Sequence, residues 1–153
     1  MSLITVRQAV LTDIEAIARL FDAYRQFYGR PSDIAAAKAF LSERFNHGES
    51  VLFMAFENDV AVGFTQLYPS FSSVSMARVF VLNDLFVDAQ ARGKGAAKKL
   101  LSAATEFAAS LGAIRLTLST ATTNASAQAL YQSAGWKRDE QFFVYHFAIP
   151  VTR

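Results

Sequence analysis

The chain has 153 residues, 52% of them apolar and 13% aromatic, which suits one domain with a sizeable core and excludes a disordered chain. Fifteen basic residues against 13 acidic ones leave a formal charge of +2, too balanced for a nucleic-acid footprint. With no cysteine, disulfides, thiolate metal sites and a cysteine nucleophile are excluded. The two histidines, His47 and His146, lie too far apart in sequence for a local metal motif, so no metal is expected. No signal-like leader precedes the first alternating segment, and no apolar run approaches ~18 residues, so a soluble, cytoplasmic protein without a membrane partner is expected.

In chain order, Ile4, Val6 and Gln8 alternate with their neighbours as a short first strand. Thr12 and Glu15 form a capping-box pattern. Ile14, Ile17, Phe21, Tyr24 and Tyr28 then recur at helical spacing and stop near Gly29. Pro31, Ser32 and Asp33 open a second helix with Ile34, Ala37, Leu41 and Phe45 on one face and Gly48 as its stop. Residues 51–56 and 60–68 are β-prone runs joined by Glu57, Asn58 and Asp59, the pattern of a hairpin. Residues 77–87 are apolar on both faces, as in a central strand covered on each side.

A glycine-bearing loop follows. A long helix comes next, with Leu100, Leu101, Ala104, Phe107, Ala108 and Leu111 on one face and Gly112 at its end. Ile114, Leu116 and Leu118 predict a strand, residues 126–134 a short helix, and residues 142–149 a last strand. The order β-α-α-β-β-β-α-β-α-β predicts an α/β fold: a mixed, mostly antiparallel sheet with one parallel β-α-β crossover and helices on both faces.

The segment Arg92-Gly93-Lys94-Gly95-Ala96-Ala97, between a buried strand and a long helix, carries the strongest chemical signal. Gly93 and Gly95 permit left-handed backbone and close approach, so successive N–H groups can converge on an anion. The helix N-terminus adds partial positive charge, and Lys94, Lys98 and Lys99 add whole charges. A pyrophosphate suits such a place; the plainer alternative is a glycine turn that lets the chain enter a helix. The P-loop pattern, with four residues between its glycines and a Lys-Ser/Thr pair, is absent, and Lys98 stands where a dinucleotide fingerprint needs its third glycine.

Asn83 and Asp84 are the polar pair inside an otherwise apolar strand. A buried carboxylate is costly without a task or a partner, so Asp84 is a candidate catalytic residue that holds a cation or moves a proton, or else accepts loop N–H bonds.

Arg92 to Ala97 resembles the acetyl-CoA signature of the GNAT superfamily of N-acetyltransferases: Arg or Gln, two residues, Gly, one residue, then Gly or Ala. Asn124, Ala127, Leu130, Tyr131 and then Gly135-Trp136 resemble a second landmark of that family, and residues 82–87 resemble its diamine/polyamine and histone acetyltransferase-like branch. The resemblance implies that an amine of a small molecule or a protein attacks the thioester of acetyl-CoA directly, without an acetyl-enzyme. It implies that the pantetheine arm lies along Leu85, Phe86 and Val87, that a backbone N–H from Leu85 or Phe86 meets the acetyl oxygen, and that Arg92, Gly93, Lys94, Gly95, Ala96, Ala97, Lys98 and Asn124 bind the cofactor.

Tyr131 is the implied acid for the departing thiolate, against the plainer reading of an aromatic on a short helix. Phenol and thiol reference values of ~10 and ~8.5 make that transfer uphill by about 2 kcal/mol. Tyr24, Phe27 and Tyr28 fall where family members line the acceptor pocket, and aromatic faces suit a cationic amine. At position 83 the polyamine-like branch typically has a glutamate, a candidate base; Asn83 is an amide and cannot serve, which leaves it a substrate-binding role. Many members form homodimers, and residues 142–149 would then pair across the interface. The alternative from another class is a CoA-binding regulatory module without turnover.

Overall fold

The computed structural model describes residues 3–151, which fall into two compact units, divided after Ser119. In the first unit, strands β1 (Ile4–Gln8), β2 (Val51–Glu57), β3 (Val60–Ser72), β4 (Ala77–Val87) and β5 (Leu116–Thr117) form one sheet in the order β1-β2-β3-β4-β5. The first three pairings are antiparallel and β4–β5 is parallel. This is the mixed sheet expected from the element order.

Between β1 and β2 the chain makes helices α1 (Ile14–Phe27) and α2 (Ile34–Asn46). The capping box predicted from Thr12 and Glu15 is replaced by a short 3-10 turn, Leu11–Asp13, ahead of α1. There the Asp13 carboxylate accepts the Val10 N–H at 2.8 Å and two bonds from Arg7 at 2.7 and 2.9 Å. A charge-assisted pair with the neighbouring strand outcompetes the Thr12 hydroxyl. The α1–α2 connection closes on Asp22, 3% exposed, whose carboxylate accepts Ser32 Oγ at 2.7 Å, the Asp33 N–H at 2.7 Å and Gln26 Nε2 at 3.0 Å. Asp33 in turn caps α2 by accepting the Ala36 N–H at 3.1 Å.

The β2–β3 hairpin turns at Asn58 and Asp59, with φ of 49° and 69°. Two left-handed residues in a row make the turn whose twist matches that of its strands. Period-two alternation then sorts the core onto the two faces of the sheet. Leu52 and Met54 pack with α1 and α2, while Phe53 and Ala55 pack with α3 (Ala96–Ser110). Each such side chain, once fully buried, contributes roughly 1.5–3 kcal/mol of transfer free energy. Of the predicted α3 face, Leu100, Leu101, Ala104 and Ala108 are buried, whereas Leu111 lies past the helix end and is exposed.

The second unit contains α4 (Ala125–Ser133). The last strand predicted over residues 142–149 is not formed: these residues have no regular secondary structure, and Phe142, Phe143, Val144, Tyr145, Phe147 and Ile149 are exposed. Apolar alternation makes a strand only where a neighbour supplies ladder hydrogen bonds, and among the described residues none pairs with this segment.

Candidate active site

The glycine loop lies between a 3-10 turn, Ala89–Ala91, and α3. Gly93 and Gly95 have φ of 79° and 86°, the left-handed backbone expected of them, and nothing lies within 4 Å of a Cβ built on either. The first bond of the α3 ladder runs from the Lys99 N–H to Gly95 O at 3.1 Å. The N–H groups of Ala96, Ala97 and Lys98 therefore have no intrahelical carbonyl to bond. With open space beside both glycines and a helix N-terminus behind them, the loop fits a pyrophosphate-bearing ligand.

Two of the three lysines near this loop have partners on the sheet. Lys94 Nζ bonds Glu57 Oε2 at 2.6 Å, and Lys99 Nζ bonds Ile4 O at 2.7 Å, while Lys98 is exposed. Ile4 and Glu57 are register partners, so both lysines reach the same corner of the sheet, over which the start of α3 packs. Arg92 is exposed, but its side chain is tethered. Its Nε bonds Val87 O at 2.9 Å, and its guanidinium lies 5.7 Å from the Phe27 ring and 5.8 Å from the Phe86 ring. Arg92 thereby ties the loop to the end of β4 and to the end of α1.

Among the described residues, no strand pairs with one edge of β4 beside this loop. Its ladder to β5 consists of Phe80↔Leu116 and Val81↔Thr117, whereas its pairing with β3 continues to Val87↔Gly63. The Asp88 N–H bonds Val62 O at 2.8 Å, and Asp84 O accepts Thr65 Oγ1 at 2.7 Å, so Asp84, Phe86 and Asp88 direct their backbone groups toward β3. By alternation, Leu85 and Val87 direct theirs to the unpaired edge. Of the two candidates for a backbone donor, Leu85 faces outward and Phe86 does not.

A bulge shapes the middle of β4. Gln66 pairs with Asp84 and Leu67 with Leu82, leaving Asn83 as the extra residue. Asn83 is exposed, whereas Asp84 is 3% exposed and Gln66 wholly buried. Asp84 Oδ2 accepts Gln66 Nε2 at 2.6 Å and Oδ1 accepts Asn83 Nδ2 at 3.1 Å. Burial pushes the Asp84 carboxyl above the ordinary carboxylate range, and hydrogen bonds from Gln66, Asn83 and Tyr24 pull it partly back.

Tyr24, half-buried, packs its ring on Phe64 at 5.8 Å, Phe86 at 6.0 Å and Tyr28 at 5.1 Å, and its hydroxyl stands 3.5 Å from Asn83 O. Phe27 and Tyr28 are exposed at the end of α1. Tyr24, Asn83 and Asp84 thus come together at the bulge, with Arg92 joining Phe27 to Phe86 nearby.

Gln66 and Tyr68 were missed in the sequence, although Gln66 carries the signal that picked out Asp84: a polar side chain inside an apolar strand.

In the second unit, Asn124 caps α4, its Oδ1 accepting the Ala127 N–H at 3.1 Å and Ser126 Oγ at 3.3 Å. Tyr131 is half-buried on the last turn of α4. Its carbonyl accepts the Trp136 N–H at 2.9 Å, and the two rings lie 6.0 Å apart. Gly135, with φ of 90°, makes that return possible.

Residues 17–136 match the model of the acetyltransferase (GNAT) family. The chain belongs to the GNAT family of acetyltransferases. This GNAT chain is 49% identical over 146 residues to a Bacillus subtilis (strain 168) protein named uncharacterized N-acetyltransferase YhfO, covering 95% of this chain and 98% of that one. A crystal structure of a probable acetyltransferase superposes with a TM-score of 0.91 at 39% identity, over 97% of this chain and 99% of the other. The aminoglycoside N-acetyltransferase AAC(6')-Iy, solved in complex with CoA, shares the GNAT fold at a TM-score of 0.79 and 24% identity, over 97% of both chains.

Proposed function

We propose that this acetyltransferase moves the acetyl group of acetyl-CoA to a primary amine by direct attack of the amine nitrogen. Family membership supports acetyl transfer. The observation that carries the finer reading is the unpaired edge of β4 at Leu85 and Val87, leading straight to the left-handed glycines of the loop. An extended arm ending in a pyrophosphate needs that pair of features: outward-facing backbone groups, here those of Leu85 and the Val87 N–H, since Arg92 Nε holds Val87 O, and, at their end, an anion site. When bound, acetyl-CoA supplies an activated acyl group and a thiolate leaving group.

The chain's own residues then divide the work. Gly93, Gly95 and the opening N–H groups of Ala96, Ala97 and Lys98 hold the pyrophosphate, and Arg92 fixes the loop that presents them. The Leu85 N–H donates to the acetyl oxygen, where negative charge grows during attack. Asp84 draws the ammonium to the bulge and takes its proton, because a protonated nitrogen has no lone pair to attack with. Asn83 and the aromatic faces of Tyr24 and Tyr28 orient the acceptor. The resemblance of residues 124–136 to the family landmark supports Tyr131 as the acid for the leaving sulfur, on the helix that Asn124 caps.

Calorimetric titration of acetyl-CoA into the wild type and Gly95→Asp tests the cofactor site. A Cβ at Gly95 meets no protein atom within 4 Å, so the variant should fold, destabilised by about 1–2 kcal/mol from its left-handed backbone. Its carboxylate should weaken acetyl-CoA binding by ~100-fold or more, equivalent to about 2.7 kcal/mol. Unchanged affinity in a folded Gly95→Asp would remove the loop from the site.

A further inference from the structure

We propose that Gln66 is a positioning residue for this reaction: its amide fixes the Asp84 carboxyl under the β4 bulge in the state that takes the acceptor's proton. The inference rests on the acceptor reading of Asp84. In that step an N–H bond of the ammonium breaks, an O–H bond forms on Asp84, and the nitrogen is left with its lone pair.

Three observations carry it. Gln66 comes from β3, directly across the ladder from Asp84, and is wholly buried. Its Nε2 bonds Asp84 Oδ2 at 2.6 Å and lies 3.2 Å from the Tyr68 hydroxyl. Its Oε1 is buried with no hydrogen-bond partner among the described residues. A buried, unpaired acceptor is expensive, and turning the amide over would bring Oε1 against a carboxylate oxygen. The side chain therefore keeps an unsatisfied oxygen in exchange for holding its nitrogen on Asp84.

The groups around Asp84 leave it as the one that titrates. Tyr24 from α1 is pushed far up, chiefly by burial, and Tyr68 from β3 is pushed up to about 12, also by burial. Arg44 of α2 acts on Tyr68 through its charge, and Asn83 is an uncharged amide. Both phenols stay neutral near pH 7, while Asp84 is raised by burial and pulled back first by the Gln66 bond. Loss of the Gln66 donor removes a bond to the charged form, so the Asp84 carboxyl should titrate at still higher pH.

The test follows the Asp84 carboxyl by carbon-detected NMR in the full-length wild type and Gln66→Met, alongside the pH profile of kcat/KM for an acetylated amine. The expected result is an Asp84 midpoint higher by about 1–2 pH units in Gln66→Met, with the ascending limb of kcat/KM moving by the same amount. A lower melting temperature with the midpoint and limb unmoved means packing alone, and overturns the proposal.

If Gln66→Met does not fold, Gln66→Glu serves. Two facing carboxyls should titrate in two separated steps, the upper one well above the wild-type midpoint, and a single unshifted Asp84 step overturns the inference. A midpoint that moves in an enzyme inactive toward every amine contradicts the acceptor reading, and the proton role with it, while the Gln66–Asp84 coupling stands. An active enzyme with unmoved midpoint and limb contradicts the Gln66 role alone.

Discussion

The acid role proposed for Tyr131 makes the most exacting demand at the scale of single residues, because it needs the hydroxyl and not the ring. The Tyr131 ring packs 6.0 Å from Trp136. Tyr131→Phe keeps that ring contact, and turnover should fall by ~10²–10⁴-fold, the usual worth of a positioned acid. Steady-state kinetics should place the loss in kcat, since charge builds on sulfur only during reaction. Near-full kcat would assign that proton to water or another group. Asp84 was legible because a carboxylate inside an apolar strand demands an explanation. Lys94 and Lys99 were not, since charge density along a chain does not say where four-carbon side chains reach; here they reach Glu57 and Ile4 O.

At the scale of elements, the turn between α1 and α2 hangs on one carboxylate. Hydrogen bonds from Ser32 Oγ and then the Asp33 N–H hold Asp22 below the ordinary carboxylate range. A depressed carboxyl stabilises the fold above its unfolded-state value. Between the unfolded and folded values the unfolded chain binds more protons, so that stability is lost as pH falls through this window. Asp22→Asn should lower stability at pH 7 by about 1–3 kcal/mol, the loss expected when a charge-assisted bond set is broken, and should flatten the acid limb of a melting-temperature profile. An unchanged acid limb would show that Asp22 does not set it.

Element boundaries were readable where side-chain pattern and turn chemistry agreed, as for residues 77–87 and the Asn58-Asp59 turn. Two features escaped. The bulge that singles out Asn83 is a mismatch between two strands and leaves no mark in either alone. The strand expected over residues 142–149 had the right alternation, but alternation is a property of the segment, and a strand is a property of a pair.

At the scale of the whole molecule, the matched span of residues 17–136 runs from α1 through α4, so both motifs that carried the resemblance lie inside it. The fold was legible because the β-α-β order around the glycine loop permits few sheets, and the parallel β4–β5 pair is the consequence. The acceptor's identity was not, since a carboxylate, an amide and aromatic faces recognise a cationic amine without naming one. The most direct measurement follows free thiol and acetylated product together, with acetyl-CoA and a panel of polyamines, amino acids, aminoglycosides and peptides bearing lysine or a free N-terminus. The expected result is thiol release that depends on both enzyme and amine, with one acetamide formed per thiol. Saturable acetyl-CoA binding with no amine in the panel accelerating thiol release would contradict the account and mark the chain as a CoA-binding module.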